Sequence, residues 1–202
     1  MLSVENLGLY KNDKKIFTGV GFSLFVGSSL VVAGKNGSGK TSMLKILAGI
    51  SKESSGKILW DNQNIEDFRS DFNGDLQFIG HKNFLKQELT VYENLSFYAA
   101  LNDCEDLIPA ALAFFKLGDF VNEKVKNLSA GWQKKVMLAK LMVCPATIWI
   151  LDEPTVHLDF EAKNLLKGLI KTKLENQGVV IISTHEVELF DFSAKISMED
   201  FS

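Results

Sequence analysis

The chain has 202 residues, 46% of them hydrophobic, enough for a folded domain with a sizeable core. Its formal net charge is −3 with no basic tail or stripe, which argues against nucleic acid as a partner. Cys104 and Cys144 lie far apart, match no metal or redox spacing, and read as buried thiols in a reducing compartment. Met1-Leu2-Ser3-Val4-Glu5 is not a signal peptide. No uncharged apolar run reaches the roughly 18 residues of a membrane-spanning helix. The richest stretch, Val136 to Leu151, is interrupted by Lys140 and Pro145. The expectation is a protein soluble by itself, with any membrane role exercised through a partner.

In chain order, residues 1–33 look strand-rich. Leu2 and Val4 alternate on one strand; Val20, Phe22, Leu24 and Val26 alternate on another. Gly27-Ser28 turns into a short buried strand at Leu30–Ala33, and Met43, Leu44, Leu47 and Ile50 then form an apolar helical stripe. Ile58-Leu59-Trp60 and Leu76-Gln77-Phe78-Ile79 suggest two more strands. Residues 84–125 are mostly helical in pattern, and Ser129 is positioned to N-cap a further helix that Pro145 stops. Thr147 to Leu151 and Val179 to Ile182 are continuous apolar runs suited to buried parallel strands, with a helix over Leu165–Leu174 between them. Alternating strands and helices predict an α/β core with a helical insertion at about 84–145.

Gly34-Lys35-Asn36-Gly37-Ser38-Gly39-Lys40-Thr41, with Ser42 after it, fits the pattern of a phosphate-binding loop between a strand and a helix. The glycines let the backbone turn its N–H groups inward onto phosphate oxygens, and the helix dipole favours the same anion. Lys40 supplies a point charge for the β and γ phosphates, and the Thr41 hydroxyl is a ligand for Mg²⁺. Asp152 and Glu153 end a buried strand, where α/β proteins bind ligands. Asp152 would assist the metal, and Glu153 would orient and deprotonate an attacking water. Leu128-Ser129-Ala130-Gly131-Trp132 leaves small residues and a hydroxyl at a helix start, a second anion site. His185 follows a strand through Ser183-Thr184, within reach of a γ-phosphate and of Glu153.

These four elements, in this order over almost the whole chain, resemble the nucleotide-binding domain of ABC ATPases. The resemblance implies one nucleotide-binding domain over 1–202: a P-loop NTPase core, an N-terminal antiparallel β subdomain and a helical signature subdomain. It implies ATP and Mg²⁺ as cofactors. It also implies an ATP sandwich with a second copy of the chain, in which Ser129, Ala130 and Gly131 complete the partner's site. Asp159, after Val156-His157-Leu158, matches the Asp of the loop that crosses between the two copies, although Val156-His157 replaces the usual small polar residues. His81 stands where ABC ATPases normally carry a Gln that senses Mg²⁺ and touches the membrane subunit. A histidine there changes charge near pH 6.5, so acid is expected to weaken metal binding. An aromatic near the first strands stacks on adenine in this family; Tyr10 is the positional candidate and Phe17 the alternative.

The match narrows at Gly80-His81, Glu88-Leu89-Thr90, Glu93-Asn94-Leu95, Ser129-Ala130-Gly131 and Trp149 to Pro154. There the chain is similar to the CcmA family, ATPase subunits of the haem exporter in cytochrome c maturation. The departure is Trp132, where that family usually has Gln; the resemblance places it facing the partner's nucleotide. The implied partners are CcmB-like, CcmC-like and CcmD-like membrane subunits, in a complex that releases the haem-loaded chaperone CcmE. The implied location is the cytoplasmic face of the bacterial inner membrane, as a peripheral subunit. Two alternatives share parts of the pattern. One is an ABC ATPase serving another transporter or a soluble assembly factor, such as one in iron–sulfur cluster biogenesis. The other is a P-loop phosphotransferase, which would have no use for Leu128–Trp132.

Overall fold

The computed structural model describes residues 1–80 and 84–202. The chain opens with β1 (Leu2–Lys11) and β2 (Lys14–Leu24), then β3 (Ser29–Ala33) and α1 (Lys40–Leu47). β4 (Ser55–Trp60), β5 (Gln63–Asn64), α2 (Arg69–Gly74) and β6 (Leu76–Ile79) follow. Next come α3 (Val91–Ala100), α4 (Ile108–Phe114) and α5 (Ala130–Val143). β7 (Ile148–Asp152), α6 (Phe160–Glu175), β8 (Val179–Ser183) and β9 (Ala194–Ser197) complete it. The chain divides into two compact units: 1–78 with 146–153 and 170–202, and 79–145 with 154–169.

The first unit carries a sheet of order β2-β1-β4-β5, in which β1 is antiparallel to β2 and β4. Its first hairpin turns at Asn12-Asp13, both with positive φ (48° and 59°), so that the turn twist matches the strands. The second sheet has the order β6-β7-β8-β3-β9, with β7, β8, β3 and β9 running parallel. Every residue of β7 and β8 is buried. Alternate residues on these strands serve one common core: Leu30 and Val32, Ile148 and Ile150, Val179 and Ile181 meet Met43, Leu44 and Leu47 of α1. Parallel strands share one C-terminal edge. Val32, Ser183 and Asp152 lie side by side across β3, β8 and β7 there, immediately before the three loops that carry the chemistry.

The second unit is helical. Thr90 and Glu93 form a reciprocal capping box at the start of α3, and Ser129 caps α5 by accepting the Trp132 N–H at 3.4 Å. Asn94 is fully buried in α3; its Oδ1 accepts from Lys86 N–H at 2.8 Å, and its Nδ2 donates to the carbonyls of Lys86 and Thr90 at 3.0 and 2.9 Å. Lys140 of α5 lies over the Tyr98 ring, 3.5 Å from its centroid. Burial lowers the Lys140 pKa to about 8 and raises that of Tyr98.

Most expected elements stand where the periodicity puts them. The differences are physical. α6 begins at Phe160, not Leu165, because Asp159 caps it. Val26 lies outside β2 and is exposed, where Gly27 already turns the chain. The helical pattern over 84–125 resolves into α3 and α4 joined by 3₁₀ turns. β9 carries too short an apolar run to stand out in the sequence.

Asn94→Ala leaves buried backbone groups without partners and should cost about 2–4 kcal/mol, read from urea denaturation. Lys140 has a folded pKa below its ordinary 10.5, so its burial penalty is full below pH 8 and fades as pH rises towards 10.5. Lys140→Met should therefore gain up to about 3 kcal/mol over the parent at pH 7, an advantage that shrinks in matched melts towards pH 10.5.

Candidate functional site

α1 begins directly from the 34–39 loop, with Gly39 at its N-cap in left-handed geometry (φ 98°) and no side chain capping its first turn. A Cβ on Gly39 would stand 2.9 Å from Ile16 Cγ2 and 3.2 Å from Phe17 Cδ1, so the loop can lie this close to β2 only with glycine there. Lys40 is buried and turns back into the loop, its Nζ donating to the carbonyls of Gly34 at 2.6 Å and Lys35 at 3.1 Å. The backbone thus curls around the ammonium. The Ser38 hydroxyl is buried with no hydrogen-bond partner among the described residues. An uncapped helix start, an enclosed ammonium and an orphaned hydroxyl all fit a phosphate chain.

Asp152, wholly buried at the end of β7, is held from two sides. Thr41 Oγ1 donates to its Oδ2 at 2.8 Å, and Ser183 Oγ donates to its Oδ1 at 2.6 Å. A hydroxyl and a carboxylate in contact make an oxygen donor set suited to a hard cation. Glu153 has a positive φ of 47°, and its N–H donates to Ser183, 3.0 Å from the hydroxyl and 3.1 Å from the carbonyl. Its carboxylate lies 3.3 Å from His185 Nε2, which is also 3.1 Å from Asn36 Oδ1. Ser183 is the member of this cluster that the sequence did not announce. Its signal was its place at the end of a buried strand, beside Asp152 in register.

Tyr10 is exposed near the end of β1, and its neighbour Lys11 reaches Ser42 Oγ at 3.4 Å, so the candidate base platform lies beside the start of α1. Phe17 is fully buried under the loop and offers no face to a base. His81 lies outside the described residues. Among those described, no group of three or more His, Cys, Asp or Glu could hold a metal by itself.

In the second unit Ser129, Ala130 and Gly131 form the first turn of α5. A Cβ on Gly131 would stand 2.9 Å from the His157 carbonyl, so the small residue admits the 155–159 loop. Lys135 Nζ lies 2.9 Å from Asp159 Oδ2 and 4.2 Å from the Trp132 ring centroid, while Phe120 packs on Trp132 with centroids 4.4 Å apart. Asp159 Oδ1 accepts the Ala162 N–H at 2.7 Å. That bond first, and the Lys135 ammonium second, hold the Asp159 carboxyl below its ordinary pKa.

A phosphate loop, a strand-end carboxylate pair, a histidine facing them and a helix-start signature define an ATP-binding cassette. The family model "ABC transporter" matches residues 17–156. The chain belongs to the ABC transporter family, in its CcmA group. It is 36% identical to the cytochrome c biogenesis ATP-binding export protein CcmA of Wolbachia pipientis wMel, over 100% of this chain and 98% of that protein. A putative ABC transporter ATP-binding protein from Pyrococcus furiosus superposes with a TM-score of 0.86 at 25% identity, covering 100% of this chain and 98% of the other. A dimeric ATP-binding cassette in a post-hydrolysis state, bound to ADP and Pi, shares the fold at a TM-score of 0.81 and 24% identity, covering 94% and 90%. The chain is thus an ABC-type ATPase.

Ser183→Ala should strip the buried Asp152 carboxylate of one donor. The expected cost is about 1.5–3 kcal/mol in a denaturant titration, with weaker Mg²⁺ dependence of ATP binding.

Proposed function

We propose that this chain is the ATP-hydrolysing subunit of a haem-handling ABC complex in cytochrome c maturation, and that its turnover drives release of the haem-loaded chaperone CcmE. The observation that carries the reaction is the convergence of Lys40, Thr41, Asp152, Glu153 and His185 at one edge of the parallel sheet. The assignment to this pathway is supported by kinship with the CcmA proteins.

The 34–42 segment binds the β and γ phosphates through its amides and the Lys40 ammonium. Thr41 and Asp152 would hold Mg²⁺, which when bound neutralises charge on the phosphates. Glu153 orients a water and takes its proton at the carboxylate. His185, with Nε2 3.3 Å from that carboxylate, lies beside it and would reach towards the γ-phosphate. Ser129 and Gly131 of a second copy complete the site across an ATP sandwich, and Asp159 links the two copies. Tyr10 stacks on the adenine. Among the described residues no helix is long and apolar enough to cross a membrane. The proposed partners are CcmB-like, CcmC-like and CcmD-like subunits, which would hold the chain at the cytoplasmic face of the inner membrane.

Glu153→Gln should retain MgATP binding while phosphate release falls at least about 100-fold, with the closed dimer accumulating on gel filtration. A variant that turned over normally would remove Glu153 from this role. Pulled down with MgATP from membranes of its own cell, Glu153→Gln should bring a CcmB-like and CcmC-like pair. Recovery of soluble partners alone would overturn the cytochrome c assignment and leave the ATPase intact.

A further inference from the structure

We infer that Glu199 is a positioning residue of the phosphate loop, holding the Gly34–Lys35 peptide group in the orientation that ATP binding requires. The Lys35 N–H donates to Glu199 Oε1 at 2.8 Å, and the Gly34 carbonyl accepts Lys40 Nζ at 2.6 Å. These two atoms belong to one peptide group. In a trans peptide they point in opposite directions, and the described chain has no cis bonds. One rigid plane is therefore pinned from both sides, by a carboxylate on its outer side and an ammonium within the loop. Both bonds are charge-assisted.

Glu199 is itself well held. Its Oε2 accepts the Ser197 hydroxyl at 2.8 Å, and the preceding Met198 is fully buried in the core shared by β3 and α1. The Ser197 bond first, and the Lys35 amide second, keep the Glu199 carboxyl below its ordinary range, so it remains ionised at neutral pH. The consequence concerns the moment of binding. A phosphate chain would compete for the three donors of the Lys40 ammonium, so the inner hold on the Gly34 carbonyl weakens and the outer bond carries more of the peptide's orientation. Without Glu199 that plane is less restrained, and ordering it is subtracted from ATP affinity. Glu199 touches no reacting group, so the effect falls on binding and not on the chemical step.

The inference rests on residues 34–41 being the phosphate loop. The test uses the full chain, MgATP titration, steady-state phosphate release and hydrogen exchange at the Lys35 amide. Glu199→Ala should raise Kd and KM for MgATP about fivefold with kcat within about twofold, and speed Lys35 exchange about tenfold. Glu199→Gln keeps an acceptor oxygen and should stay near the parent. Ser197→Ala should move in the same direction as Glu199→Ala by a smaller factor. Unchanged affinity in Glu199→Ala, a fall in kcat at constant KM, or a Gln variant as impaired as the Ala variant would each overturn the inference. Lys40→Ala separates the two readings. If it binds MgATP as tightly as the parent, the phosphate-loop assignment fails; if it loses binding while Glu199→Ala does not, only the Glu199 role fails.

Discussion

A carboxylate taken fully out of water costs several kcal/mol unless its lone pairs are met. Asp152 is in that position, and the rest of the site is built around meeting its needs. Thr41, from the start of α1, satisfies one oxygen; Ser183, from the end of β8, satisfies the other. Ser183 in turn receives the Glu153 N–H, which sets the backbone of the residue whose carboxylate lies beside His185. One buried charge thus ties three separate loops together. This is possible because β3, β8 and β7 are parallel neighbours whose ends share an edge.

The 34–41 segment is held by its own contacts. Lys40 sits on the loop's own carbonyls, where a desolvated ammonium finds acceptors, and Gly39 lets the turn lie against Ile16 and Phe17. The antiparallel sheet therefore does more than cover the core. Its strand β2 supplies the floor on which the 34–39 loop rests.

The helical unit follows the same economy of contacts. The first turn of α5 is tied to the 155–159 loop by the Lys135–Asp159 pair and by the close approach at Gly131. Trp132 adds an aromatic layer between Phe120 and the Lys135 ammonium. The Trp132 indole thus packs between two neighbours of its own unit.

By itself, the sequence determined most of the elements and marked the residues for which a chemistry is proposed. Continuous apolar runs marked β3, β7 and β8; glycine spacing marked the tight loop before α1; Ser129 marked a helix start; and Asp152 and Glu153 were placed at a strand end. These signals are local, carried by residues within a few positions of one another. Tertiary structure decided who meets whom. Ser183 became a ligand of Asp152 only because parallel pairing put them in register, and Phe17 was withdrawn into the core while Tyr10 stayed outside. Glu199 reached Lys35 because β9 lies beside β3, a pairing between segments more than a hundred residues apart that no local pattern encodes.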